Sequence, residues 1–456
     1  MIANNKIMLY ITVGIVILIS FIFYSFSLII SIEIGVVTYI FLSLISNLGI
    51  KIPMKELMCF LFLLQVFVSP LITYRYFNNN AQFTMYVDES TYMFFVIPAT
   101  LFFLTGLLIP LSKKEYNYNE VFKNLSSTCN KKTEKIAFIF IAIGMAISLI
   151  RDIIPESLAF IFYLLKLLKF IGIFILLFSQ NKFKYLWIII VFVEFSYEII
   201  NGGVFYDLFV WGFYFYMLLE AKLKSSLIRR FIVVLSGLLM IFFVQSIKGD
   251  YRKEAWSNNS KTEKSEIFLN TVENKAISKE SIKNTEDLDR FISRLNTGWI
   301  LSKVLQHTPK NEPFTNGETL KNDLINVLLP RFLFPEKAKT GGKQNQKKFT
   351  QFTGRRLIGS TTMRIGALSD SYINFGIYGG WMTMFFLGLF FNLILSFIIN
   401  LSFINPFYLL WIPFIFAYAI RMSDFQVILN YTIKSMIFVF IINSIFFKLN
   451  KPATNQ

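Results

Sequence analysis

The chain has 456 residues, 55% hydrophobic, 18% aromatic and 16% charged, with a formal net charge of +17. This balance excludes an ordinary soluble domain and describes a polytopic membrane protein, for which a count of apolar runs replaces a count of domains. Cys59 lies in an apolar run and Cys129 in a basic loop, so the only two cysteines make neither a disulfide framework nor a zinc site, and a single histidine, His307, excludes a multi-histidine metal centre.

In chain order, apolar runs of helical length fall near 7–30, 32–50, 56–74, 91–111, 136–151, 158–179, 184–200, 204–220, 228–247, 372–399, 404–420 and 425–447. The expected fold class is therefore an all-α membrane protein of about twelve spans. The first run lacks a small-residue cleavage site, and is expected to remain as a signal anchor. Lys166 and Lys169 share one helical face of the sixth run, a pattern that also fits a helix lying at the interface.

Lysine and arginine set the orientation. With a cytoplasmic N terminus, the short inside loops collect clusters such as Lys51/Lys55, Lys131/Lys132/Lys135 and Arg229/Arg230, whereas the short outside loops hold only Arg75, Arg151 and Arg421. Both termini are then cytoplasmic and the organisation is threefold: a bundle of about nine spans over 1–247, an extracytoplasmic segment over 248–370, and about three spans over 371–456.

The long outer segment divides by composition. Residues 256–289 are rich in Lys, Glu, Asn and Ser and read as a solvated excursion with little function. From Arg290, the stretch RFISRLNTGWILSKVL has the spacing of an amphipathic helix lying over the bundle. Next comes LLPRFLFPEK, where Pro330 and Pro335 forbid regular structure through Arg331 and Phe334 and make a shaped loop. Nine basic residues, Arg331, Lys337, Lys339, Lys343, Lys347, Lys348, Arg355, Arg356 and Arg364, then face the single acid Glu336.

So basic an outer segment departs from the expected bias and needs a partner. Anionic lipid headgroups are one reading, at about 1 kcal/mol for each charge near the surface. A phosphorylated lipid is the other, and arginine suits it because its planar fork donates two parallel bonds to phosphate oxygens. Nucleic acid is a poor fit, since the segment faces away from the cytoplasm and lacks interleaved stacking aromatics. Before the loop, the ninth run ends in QSIKGDYRKEAW, where Lys248 and Arg252 share a face if the helix continues, although Gly249 lets the chain leave it. Snorkelling anchors or a pair holding a diphosphate are the two readings of these cations. After the loop, GALSDSYINFGIYGGW enters the tenth run. Asp370 stands at its rim, as a helix N-cap, a salt-bridge partner of Arg364, or a functional acid.

The order KGDYR, PFTNGETL, LLPRFLFPEK and DSYINFGIYGG, over roughly 245–381, resembles the bacterial oligosaccharide repeat unit polymerases, the O-antigen and exopolysaccharide polymerase family. The resemblance rests on Pro330, Arg331, Phe334, Pro335, Glu336 and Lys337, and on Asp370, Tyr372, Asn374, Phe375 and Gly376; Phe334 stands where tryptophan is frequent, keeping the aromatic contact without the indole donor. It implies a membrane glycosyltransferase resembling the C-type fold, which moves a growing glycan from undecaprenyl diphosphate to a second lipid-linked repeat unit, without cofactor or metal. A chain-length regulator is a possible protein partner under the same resemblance.

On that reading Arg331 meets the diphosphate, and Lys248, Arg252, Lys337, Arg355, Arg356 and Arg364 supply the remaining positive surface. The acceptor hydroxyl needs a hydrogen-bonding partner or base. Asp370 is the first choice, with Glu318, Asp250 and His307 as alternatives, His307 also reading as a surface or capping residue. Two rival functions remain open: an O-antigen ligase, which differs in its acceptor, and a flippase or transporter of lipid-linked oligosaccharide, which performs no chemistry.

Overall fold

The structure, a computed structural model, describes residues 2–77, 84–111, 118–150, 154–155, 158–203, 205–256, 263–277, 285–328, 342–359 and 361–447. Among these residues every regular element is helical. Eight helical segments are long and apolar enough to cross a membrane, and 7–23 and 406–421 are shorter apolar helical pieces. Arg331 and Lys337, with the rest of the two-proline stretch, lie outside the described residues.

Helices α1 (Ile2–Phe23) and α2 (Leu28–Asn47) form a hairpin turned at Ser25, so the first apolar run ends at 23 rather than 30. Helices α3 (Met54–Leu63) and α4 (Ser69–Tyr76) are one span interrupted by a π turn at Leu64–Val68. Pro70, at the start of α4, cannot donate to the helical ladder, and the wider turn leaves carbonyls free for other donors. Those carbonyls are used: Tyr92 Oη donates to Val66 O at 2.7 Å and Thr297 N to Gln65 O at 3.2 Å. The broken span is thereby a docking point for a later part of the chain.

Helix α5 (Glu89–Leu108) follows, then a short α6 (Tyr118–Thr128), α7 (Lys131–Leu149), and a span split at Leu167 into α8 (Ala159–Lys166) and α9 (Leu168–Phe178). The two halves together are long and apolar enough to cross a membrane, and α9 is buried along its whole length. Lys169 is fully buried, with Nζ 2.6 Å from Glu194 Oε2 and 3.8 Å from Glu198 Oε2, and Lys166 pairs with Glu198. Both glutamates belong to α10 (Lys184–Gly202), so each lysine is compensated across a helix pair; sequence reading saw the lysine face but not its partners.

After α11 (Tyr206–Leu223), α12 (Leu227–Ala255) runs straight through Gly249. Lys248 and Arg252 therefore do share a helical face. The region read as a solvated excursion contains α13 (Lys264–Ile277), which packs on α12 and α10 by burying Ile267 and by placing Phe268 against Phe205 and Tyr251. The single amphipathic helix expected from Arg290 is two: α14 (Thr285–Leu295) and α15 (Gly298–His307). They part at the buried Asn296, whose Nδ2 donates to Thr73 Oγ1 at 2.9 Å while its Oδ1 accepts from Trp299 N. Two further short helices, α16 (Glu318–Leu328) and α17 (Lys343–Thr353), precede the next long one.

Helix α18 (Ala367–Ser402) is the longest and is bent at Gly376, where φ is 66° and ψ −155°, a region open essentially to glycine alone. Beyond the bend it packs along α5 at backbone contact. A β-carbon on Gly388 would lie 2.3 Å from Phe103 O, and one on Gly106 would lie 2.2 Å from Phe385 O. Close approach of this kind is how small residues join membrane helices. Gly388→Ala is expected to cost about 1–3 kcal/mol by overpacking, read as a lower melting temperature in detergent; unchanged melting would show that the two backbones are not in contact. The chain closes with a 3-10 turn (Pro406–Trp411), α19 (Ile412–Phe416), a second 3-10 turn (Ala419–Arg421) and α20 (Phe425–Phe446).

A buried lysine–carboxylate cluster as candidate functional site

Three short segments converge on the bundle end where α18 and α20 begin. Helix α17 is amphipathic: Phe349 and Phe352 are buried, with the Phe349 ring 6.2 Å from Trp299 of α15. That anchoring turns Lys348 inward. Helix α16 is tied to α18 by Asn374, whose Oδ1 accepts from Thr315 Oγ1 (2.9 Å), Thr319 Oγ1 (2.8 Å) and Leu320 N (3.3 Å). Thr315 N also donates to Ile373 O at 2.9 Å, and Tyr372 Oη to Thr308 O at 3.1 Å. The motifs PFTNGETL and DSYINFG, 50 and more positions apart, are thus one hydrogen-bonded unit, with Asn374 serving the start of α16 as a cap.

Inside this unit lies a charge cluster. Lys348 Nζ stands 2.6 Å from Asp370 Oδ1 and 3.7 Å from Asp323 Oδ2. Asp370, 1% exposed, uses its other oxygen to accept from Phe425 N at 3.0 Å, which caps α20. Asp424, also buried, accepts from Gly366 N at 2.8 Å and so fixes the entry to α18. Asp370 is thus a cap for a neighbouring helix, not for its own. Its ionic partner is Lys348 and not Arg364, whose Nη1 instead donates to Ser423 Oγ at 3.2 Å.

One lysine among three acids sets the titration. Burial would lower Lys348, but Asp370, Asp424 and Asp323 together hold it above the ordinary lysine value. Burial pushes Asp323 up to about 7, with Lys348 opposing and Asp370 and Asp424 adding to the rise. Burial also raises Asp424, followed by repulsion from Asp370. An acid whose folded pKa exceeds its unfolded value binds more protons when folded, so stability falls as pH rises through that window. For Asp323 the window runs from 3.8 to about 7. The purified protein is expected to melt at lower temperature at pH 8 than at pH 5.5, with the slope reduced in Asp323→Asn; an equal slope in the variant would remove Asp323 as its source.

The other sequence-predicted residues are spread around the bundle end. Lys248 and Arg252 lie on α12, where Arg252 Nη2 donates to Gly203 O at 2.6 Å and the guanidinium covers the Trp256 ring. Arg294 of α14 joins that face by donating to Gln245 O at 2.9 Å, a residue the sequence reading passed over. Asp250 is exposed on the same helix. Arg355 lies over Trp299 with Nη1 3.5 Å from Tyr86 Oη, and Arg356 and Arg364 are exposed. His307 ends α15, with Nδ1 3.0 Å from Asn311 Nδ2 and its ring against Gly354. Glu318 is exposed in the first turn of α16.

Of the proposed catalytic and binding residues that fall among the described ones, then, Asp370 alone enters the cluster, and Arg364 reaches its edge through Ser423. Sequence reasoning named Lys348 only as one of nine cations and missed Asp323 and Asp424. A signal for Lys348 was present in KKFTQF, whose two phenylalanines at i and i+3 mark a buried helix face. Asp424, in SDF before the last apolar run, carried an N-cap signal.

An all-helical membrane protein with a largely buried lysine–carboxylate cluster where α16, α17, α18 and α20 meet is the class that fold and site define. The chain belongs to the family of DUF8712, a domain of unknown function, whose model matches residues 57–451. No curated protein and no solved structure matches the sequence.

Proposed function

We propose that this chain is a membrane glycosyltransferase that polymerises an oligosaccharide repeat unit carried on undecaprenyl diphosphate, at the outer face of the bacterial cytoplasmic membrane. The observation that carries this reading is the Lys348–Asp370–Asp323–Asp424 cluster, together with exposed Arg355, Arg356 and Arg364 on the stretch that joins α17 to α18. In the proposed topology α1, α7, α11 and the 406–421 piece also cross the membrane, which gives twelve crossings, cytoplasmic termini and an outer layer made of α13 to α17.

The reaction is a displacement at the anomeric carbon. The acceptor hydroxyl oxygen bonds to that carbon while the bond to the diphosphate oxygen breaks, and the electron pair leaves with the diphosphate. Exposed arginines are suited to neutralise the charge that develops there. Asp323 receives the hydroxyl proton: it is half-buried and carries a pKa near 7, where a general base is most effective. Asp370, the first choice from sequence, has both oxygens engaged and acts by positioning Lys348 and α20.

Purified chain in liposomes, supplied with lipid-linked repeat units and a chelator, is expected to lengthen them on its own. Transfer only to a lipid A core acceptor would make it a ligase, and an absence of any transfer would overturn the proposal. Translocation of the lipid-linked glycan without chemistry is a second reading. The Lys166/Lys169–Glu194/Glu198 network at the split span favours it, since paired charges and broken helices within the membrane mark many transport pathways. Substrate stranded on the inner leaflet in the absence of the protein would support that second reading.

A further inference from the structure

Beside the charged cluster lies a cavity of about 190 Å³ between α8, α17, the 406–421 segment and α20. Tyr163, Tyr418 and Tyr431 line it with aromatic rings, and Asn345, Gln426 and Asn430 line it with carboxamides. The rings are fixed by one another: Tyr163 and Tyr418 meet edge to face at 5.7 Å, Tyr418 and Tyr431 lie 4.6 Å apart, and Tyr431 Oη donates to Phe414 O at 2.8 Å. The three carboxamides differ in this respect. All are half-buried, and among the described residues none has a hydrogen-bonding partner.

We infer that this cavity binds a single pyranose residue of a glycan, with Gln426 and Asn430 as its specificity-determining hydrogen-bonding groups. Each carboxamide offers two donors and an acceptor, which an acyl chain would leave unmet at a cost of about 1–3 kcal/mol apiece. A hydrocarbon occupant is therefore disfavoured. Among the described residues Arg364 is the one charged group in the lining, and it repels a cation. A ligand with hydroxyls on its rim and C–H groups on its faces meets both halves of the lining, the amides at the edge and the phenol rings on the faces. Size limits it to one ring, because the cavity is smaller than the roughly 300 Å³ at which pockets for drug-sized molecules begin.

The location ties the cavity to the cluster. Asn345 is one helical turn before Lys348 on α17, and Gln426 is two residues beyond Asp424 on α20. A sugar held there would be the terminal residue of an acceptor; that assignment rests on the transferase reading above, whereas binding itself does not.

The test uses the full chain in nanodiscs and three probes: a neutral methyl hexopyranoside, a methyl N-acetylhexosaminide and a methyl uronide, followed by saturation-transfer NMR. At least one is expected to bind with millimolar affinity, and Gln426→Leu and Asn430→Leu, which keep side-chain bulk, are each expected to weaken it at least tenfold. The variants are made separately, so that misfolding of one leaves the other informative. Absence of binding by all three probes, or affinity unchanged in a folded variant, overturns the subsite. Polymerisation by the wild type with full activity in both variants overturns it as well and leaves the polymerase standing. Binding that both variants lose, in a protein that lengthens nothing, supports the subsite and removes the polymerase.

Discussion

Lys348→Met is expected to destabilise the protein by about 3–5 kcal/mol, the range found when one partner of a buried ion pair is removed. Asp370 would keep only the Phe425 amide, and Asp323 and Asp424 would lose the cation that offsets their mutual repulsion. The side chain of Lys348 is 19% exposed, which lets water relieve part of the deficit and favours the lower end of the range. The double variant Lys348→Met with Asp370→Asn should recover much of the loss, because it removes the stranded charge and keeps an acceptor for Phe425 N. Thermal unfolding in detergent reads all three proteins. If Lys348→Met melts with the wild type, the ion pair contributes nothing and the cluster is no structural unit.

The second large effect concerns turnover. Asp323→Asn conserves shape and removes the proton acceptor, and is expected to lower the polymerisation rate by about 10²–10⁴ with little change in substrate affinity. Stability above pH 7 should not fall, since the folded state no longer holds a buried carboxylate with a raised pKa. Unchanged turnover in the folded variant would assign the proton elsewhere. Glu318, His307 and Asp250 are then the remaining sequence candidates, on α16, α15 and α12.

Much of the architecture was legible because apolar runs of helical length have one solution in a bilayer. The helices α2, α5, α10 and α20 fall within a few residues of the runs that announced them. Boundaries went astray where the cause was a local backbone event: the reversal at Ser25 and the uninterrupted passage of α12 through Gly249. Between α12 and α14, composition misread 256–289, since α13 is held by two aromatic contacts and one buried isoleucine, too few to register in an average.

The sequence by itself determined that this chain inhabits a membrane, that its polar mass lies between 248 and 370, and that PFTNGETL and DSYINFG are unusual stretches within it. Only the tertiary structure decided what those stretches do: Asn374 joins them, and Asp370, Lys348, Asp323 and Asp424 meet although they come from four separate elements. The physical reason is range. Hydropathy and helix-breaking act over one or two turns and can be read along the chain, whereas the compensation of a buried charge is a condition on whichever groups the packed helices bring within about 4 Å.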